Sequence, residues 1–284
     1  MTSGSDWQTR VGRAWADEWR RTDRSFAGLT GHLLAAIADQ PGTRVLDIGC
    51  GAGELTLAVA SARPEASVVG VDVSGDLIAT AQARGECRAV FHHGDAGQFV
   101  DPAGKPDLLI SRHGVMFFAD PPAVFRHLAG SAAPGARLVF SCFRDPAENP
   151  WAGLFAPLFA PAPPEPAPSE PVLAFPPGPF AFADPAHVER CLTGWCDIRF
   201  TPVDFRYVAG ACEDPVADAV GFLSRIGPAA ARLAATDPAE RGDVQANMAA
   251  ILQDHLRDGE VAFPAAAWIV TALSDEGTRA NPLV

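Results

Sequence analysis

Basic charge is scarce in this chain. Lys and Arg number 22 against 34 Asp and Glu, a net charge of −12. A nucleic-acid surface needs a stripe of cations to neutralise phosphates. The only approach to one, Arg10, Arg13, Arg20, Arg21 and Arg24, is interleaved with Asp17, Glu18 and Asp23 and reads as a solvated helix face. No nucleic-acid partner is therefore expected. No apolar run approaches the ~20 residues of a membrane span, and the first ten residues lack the apolar stretch of a secretory signal. These two absences predict a cytoplasmic protein with no membrane partner. The six cysteines, Cys50, Cys87, Cys142, Cys191, Cys196 and Cys212, contain no C-x-x-C pair. They read as small apolar thiols in a reducing compartment. Carboxylates and histidines do not cluster at metal-ligand spacing, so no metal is expected. No internal repeat is evident.

What is present is a core. Hydrophobic residues make up 48% of 284 positions and charged residues 20%, which is ordinary for a soluble globular protein. Residues 7–38 predict a helical segment, with Trp7, Val11, Trp15 and Trp19 at three- and four-residue spacing. That tryptophan stripe reads as core packing rather than a ligand box. From Thr43 the pattern alternates. Strands are expected at 44–48, 67–72, 88–93, 107–111 and 136–143, and helices at 54–62, 75–84 and 121–132. Apolar strands alternating with helices argue for a mostly parallel sheet covered on both faces. Residues 146–179 are rich in proline, and PAPPEPAPSEP within them favours extended polyproline conformations. Further on, a capped helix is expected from Asp184, a strand or hairpin over 197–208, helices over 215–257 and a final strand over 265–273.

The segment Val45–Gly53, VLDIGCGAG, joins a strand to a helix through glycines. Glycines let a backbone approach a ligand closely, and the next helix offers unpaired N–H groups. The dinucleotide fingerprint G-x-G-x-x-G would need glycine at 54, where Glu54 stands. A carboxylate there would face a pyrophosphate with the wrong sign. The spacing is instead Gly49-x-Gly51-x-Gly53, preceded by Asp47, which suits a ligand with a positive centre and no phosphate. A sulfonium with an α-ammonium group fits. Asp72 closes the second strand, about 20 residues on, where an acid accepts from ribose hydroxyls. Asp95 follows the third strand, where a carboxylate can accept from an adenine amine.

These motifs, VLDIGCGAG, VGVDVS, HHGDA, DLLISRHGVMFF and PGARLVF, resemble those of small-molecule class I methyltransferases dependent on S-adenosylmethionine, of the ubiquinone-biosynthesis kind. The resemblance covers residues 43–143 closely and DPAHVERCLTGWCDIRF more loosely. It implies a Rossmann-like, seven-stranded, mostly parallel sheet with insertions after strands 5 and 6, and S-adenosylhomocysteine as product. It also implies that Gly49 and Gly51 border the methionine part, Asp72 the ribose, Val73 and Ala96 the adenine faces and Asp95 its amine, with Ser111 offering backbone near the methionine.

The expected organisation is an N-terminal helical segment over the site (1–42), a cofactor-binding core (43–145), a proline-rich insertion or lid (146–183) and the rest of the sheet (184–284) with a helical insertion (212–260). Methyl transfer from a sulfonium needs in-line alignment above all. His113, after the fourth strand, is the candidate general base, with His92 and His93 behind it. The Asn/Asp-Pro-Pro-Tyr/Phe tetrapeptide that positions exocyclic amines is missing; Ser111-Arg112-His113-Gly114 stands there. That favours a small-molecule acceptor, apolar or aromatic, with Trp151, Phe155 and Phe159, and also Phe175, Phe180 and Phe182, as candidate pocket walls. An NAD(P)-dependent oxidoreductase with an atypical turn and a non-catalytic cofactor-binding scaffold are the competing readings. The sequence leaves a homodimer open.

Overall fold

The computed structural model describes residues 7–85, 88–159 and 175–275. Its centre is a sheet whose first strands are apolar on both faces, as a covered parallel sheet requires. These are β1 (Arg44–Ile48), β2 (Ser67–Asp72), β3 (Val90–His93), β4 (Leu108–Arg112) and β5 (Arg137–Phe143). All pair in parallel, in the order β3-β2-β1-β4-β5. β8 (Glu260–Ser274) runs antiparallel beside β5, and β6 (Trp195–Ala211) lies antiparallel outside β8. The eighth strand is the two-residue β7 (Leu256–Arg257), which folds onto β8 through a turn with Asp258 at φ 52° and Gly259 at φ 78°. Asp-Gly with both residues at positive φ is a tight hairpin turn. The seven expected strands thus gain one, at the end of a stretch read from sequence as helix.

Local chemistry explains most helix starts. α3 (Glu54–Ala62) leaves Gly53, which sits at φ 86°. Ser74 caps α4 (Gly75–Arg84) by accepting from the Leu77 amide. Asp120, Asp184 and Asp214 each accept an amide at the start of α5 (Pro121–Ser131), α6 (Pro185–Cys191) and α7 (Pro215–Leu223), all with proline at the first position. α8 (Pro228–Ala235) and α9 (Arg241–Gln253) complete the insertion between β6 and β8.

Other expectations shift. The N-terminal segment is two helices, α1 (Arg10–Asp17) and α2 (Trp19–Ala38), parted at Glu18. β3 begins two residues late, where its pairing to Val69 begins. The stretch read as strand or hairpin is one 17-residue strand, and the final strand starts at Glu260 rather than 265. Each of these long strands is the other's partner over most of its length. Proline-rich residues 160–174 lie outside the described residues, as does Cys87. Three 3₁₀ turns precede them, at Pro146–Glu148, Pro150–Ala152 and Ala156–Leu158. The other five cysteines are free thiols. Among the described residues no helix is long and apolar enough to cross a membrane.

Candidate functional site

Strand order reverses between β1 and β4, since β2 lies on one side of β1 and β4 on the other. Open α/β sheets bind ligands beyond the carboxyl ends of strands at such a point. A cavity of about 550 Å³ lies there, within the usual range of about 300–1,000 Å³ for small-molecule sites. Its floor is the glycine turn. The Gly49 and Cys50 amides donate to the Val71 carbonyl, at 2.9 and 3.1 Å, and fold the turn back onto β2. Gly49 (φ 64°) is packed so closely on the next loop that a Cβ would lie 2.9 Å from Gly114 Cα. Gly51 (φ 55°) has nothing within 4 Å of its Cβ direction and lines the cavity.

Asp47, at the end of β1, is fully buried. Its Oδ2 accepts from Thr56 Oγ1 at 2.6 Å, while Oδ1 has no partner. Burial pushes its carboxyl up to about 7, against the Thr56 hydrogen bond and the Arg112 charge. An unpartnered buried acid lining a cavity is suited to an incoming cation. Asp72 accepts from the Gly51 amide at 2.9 Å and the Ser74 amide at 2.8 Å, so it ties the turn to the start of α4. Burial raises its pKa against those two bonds. Asp95 is exposed at the cavity edge and accepts from the Gly97 amide at 2.8 Å. Val73 and Ala96 line the same end. The donor set suits a sulfonium amino acid joined to a nucleoside: an acid for the ammonium, two further acids at strand ends, and apolar walls.

Not every expected residue faces the cavity. Ser111 is buried behind it; its hydroxyl donates to the Ile48 carbonyl at 2.6 Å and accepts from the Gly114 amide at 3.2 Å. It thereby holds the β1 end against the His113–Gly114 loop. Glu54 does not face the cavity either. It pairs with Arg112, which also donates to Thr30 Oγ1 at 2.9 Å and lies 3.6 Å from Asp23. The charge argument drawn from Glu54 is therefore corrected: its carboxylate is occupied by Arg112, and the acids that line the cavity beside the turn are Asp47 and Asp72. His92 packs on Phe99, and His93 Nε2 meets the Val73 carbonyl at 3.0 Å; neither lines the cavity.

His113 does line it. It holds a left-handed φ of 64°, and its amide donates to the Ser141 carbonyl at 3.1 Å. Its Nδ1 lies 2.8 Å from Ser141 Oγ, and its Nε2 is buried without a partner. Burial drives its pKa down to about 3, so the ring is neutral at physiological pH.

Of the aromatic residues expected as pocket walls, Trp151 is on the cavity. Phe155 and Phe159 are not: Phe155 is in the core at 3% exposure, and Phe159 packs beneath the Arg232 guanidinium, 5.2 Å from its ring centre. Phe182 packs against Phe125 and Phe140, Phe180 against Phe143 and Trp151, and Phe175 stacks on His187. The tryptophan stripe is corrected in the other direction. Trp7, Trp15 and Trp19 all line the cavity, Trp15 on α1, Trp19 on α2 and Trp7 just before α1. Phe26 and Tyr207 also line it and were not singled out from sequence. Tyr207 is the chain's single tyrosine, and that rarity was the only signal available for it. Pro179 from the first insertion and Ile226 and Gly227 from the second reach the same cavity.

Residues 45–135 match the family model described as a methyltransferase domain. A trans-aconitate 2-methyltransferase from Deinococcus radiodurans is 34% identical over 106 residues, 37% of this chain and 40% of that protein. A 27-O-demethylrifamycin SV methyltransferase from Amycolatopsis mediterranei is 29% identical over 134 residues, 45% of this chain and 49% of that protein. The chain spans about half the length of the curated relatives it matches. The fold matches that of a phosphoethanolamine N-methyltransferase from Haemonchus contortus, solved with S-adenosyl-L-methionine. There the TM-score is 0.55 at 15% identity, covering 97% of this chain and 61% of the other.

Proposed function

We propose that the chain is an S-adenosylmethionine-dependent methyltransferase, its residues 45–135 matching a methyltransferase-domain model, and that it passes the cofactor's methyl group to a small apolar or aromatic molecule. The observation that carries this reading is the unpartnered, fully buried Asp47 oxygen on a cavity floored by glycines. Bound there, the cofactor would supply an electrophilic methyl on a positive sulfur that leaves as a neutral thioether. Asp47 would face its ammonium, with Gly49 and Gly51 presenting backbone to the methionine portion. Asp72 would accept from the ribose hydroxyls while keeping its two amide bonds. Val73 and Ala96 would flank the adenine, and Asp95 would accept from its amine. Ser111 would act through the backbone it fixes.

The protein's own contribution is alignment. The leaving group is already good, so holding acceptor and methyl in line supplies most of the rate gain, up to ~7–11 kcal/mol in ideal cases. The His113 ring lies beside Phe26 and Phe143 on the cavity, and its neutral Nε2 would serve the acceptor as a hydrogen-bond partner. Its burial opposes the imidazolium, so it would orient the acceptor, whose proton passes to solvent as the bond to the methyl forms and the methyl–sulfur bond breaks. α1 and α2, with Trp7, Trp15 and Trp19, exclude water from above.

The test is a thermal-shift titration with S-adenosylmethionine, S-adenosylhomocysteine and NADH on wild type and Asp72→Ala. At a hundredfold excess over Kd the first two should raise Tm by on the order of 5 °C, and Asp72→Ala should lose most of that shift. Stabilisation by NADH alone would sink the reading in favour of an oxidoreductase. An unchanged shift in Asp72→Ala would remove the ribose role. Cofactor binding with no label transferred from a radiolabelled methyl donor, across a metabolite panel, would leave a scaffold.

A further inference from the structure

Among the described residues, the cavity is lined by five carboxylates, Asp23, Asp47, Asp72, Asp95 and Asp120, and by one permanent cation, Arg112. That cation is committed. Glu54, Asp23 and Thr30 surround its guanidinium. Four residues that line the cavity carry a buried polar atom without a partner: Asp47 (Oδ1), Trp7 (Nε1), Thr22 (Oγ1) and His113 (Nε2). Asp47 belongs to the cofactor end. The other three are uncharged, and a buried polar atom without a partner calls for one, such as a ligand atom or an ordered water.

The acceptor end is an aromatic box. Trp151 and Tyr207 stack at 4.9 Å with planes 12° apart. Phe143 lies 5.1 Å from Trp151, and Phe26 lies 5.6 Å from Tyr207. The His113 ring stands edge-on to Phe143 at 4.2 Å and to Phe26 at 5.2 Å. Because Gly49 abuts Gly114, this box adjoins the glycine turn. Flat apolar faces of this kind favour a flat apolar guest. An anion brought here would lose its water and meet neutral donors, nearby acids and the Arg112 guanidinium, which lies 5.3 Å from the Phe26 ring centre but is already paired with Glu54. A cationic guest would be repelled by a sulfonium bound next to it.

Resting on the transfer reading above, we propose that the acceptor is an uncharged, planar, hydroxylated aromatic, its ring in the box of Phe26, Phe143, Trp151 and Tyr207 and its hydroxyl on His113 Nε2. The proposal sets this chain apart from its relatives named for trans-aconitate, whose acceptor is a polycarboxylate.

Isothermal titration calorimetry tests it on the full chain, with and without saturating S-adenosylhomocysteine. The probes are 2-naphthol, its carboxylate counterpart 2-naphthoate, its ammonium counterpart 2-naphthylmethylamine, naphthalene and trans-aconitate. 2-Naphthol should bind at least tenfold tighter than each of the others. His113→Asn, which tolerates the left-handed backbone, should bring 2-naphthol down to the affinity of naphthalene, and Tyr207→Ala should weaken both together. Tighter binding of 2-naphthoate, trans-aconitate or the amine would overturn the proposal. So would an undiminished preference for the naphthol in His113→Asn. The wild-type panel stands even if Tyr207→Ala does not fold. Binding of S-adenosylhomocysteine without 2-naphthol would defeat this inference and leave the transferase reading intact. The reverse result would support the box and defeat the transferase reading.

Discussion

Asp47 is a buried carboxyl on the cavity wall with one oxygen bonded to Thr56 and the other without a partner, and its pKa is raised to about 7 by burial. Below pH 7 the free protein holds it protonated, so a cation that binds there must expel a proton. Affinity for S-adenosylhomocysteine, through its ammonium, should therefore fall by up to about tenfold per pH unit below 7. Calorimetry at pH 6 and 8 should show that slope, and Asp47→Asn should flatten it while weakening binding at pH 8. An unchanged slope would mean that another group, such as Glu54, also raised to about 7, controls the coupling. Residue identity at this site was legible from sequence where it sat beside the glycines. Asp47, Gly49, Gly51, Asp72, Val73, Asp95 and Ala96 all lie on successive strand-end loops, so strand order alone gathers them. Ser111 lies on the same strand ends, yet its side chain points into the backbone.

Elements decide what covers the site. α2 is held on one side by Asp23, paired with Arg84 at 2.6 Å, and on the other by Arg21 and Arg24, each 2.7 Å from Asp218 of α7. α1 has less to hold it and depends on close approach: a Cβ on Gly12 would collide with the Trp7 carbonyl and the Ser74 hydroxyl. Gly12→Val should lift α1 from the 72–74 loop. Hydrogen exchange over residues 7–17 should rise and S-adenosylhomocysteine affinity should drop about tenfold, with exchange in β5 and β8 unchanged. The first insertion is anchored differently. Phe182 is fully buried against Phe125 and Phe140, so Phe182→Ala should cost about 3–5 kcal/mol in urea denaturation. A loss under 1 kcal/mol would show that this segment is not part of the core. Proline content marked the insertion as irregular, but apolar aromatics at 155, 159 and 182 carry no label telling core from pocket.

At the scale of the molecule, burial of His113 links stability to pH. Unfolded, its imidazole protonates near 6.5; folded, its pKa is lowered to about 3. Between those values the unfolded chain binds more protons, so this residue's contribution is full above about pH 6.5 and is lost as pH falls towards 3. Comparing urea unfolding at pH 7 and pH 5, wild type should lose more stability than His113→Asn. Equal losses would mean that the ring is not desolvated.

Sequence by itself determined the parallel half of the sheet, its glycine turn and the acids at its strand ends. Each of those is encoded within a few residues, by apolar runs, by glycine's access to positive φ and by Asp-Pro helix starts. Tertiary structure alone decided the acceptor side. Phe26 from α2, His113 from the β4 loop, Phe143 from β5, Trp151 from the first insertion and Tyr207 from β6 meet only because β8 pairs with both β5 and β6, and because α2 packs across β6. A contact such as that of Phe26 with Tyr207 leaves no local pattern, so the box as a whole appears only in the folded chain.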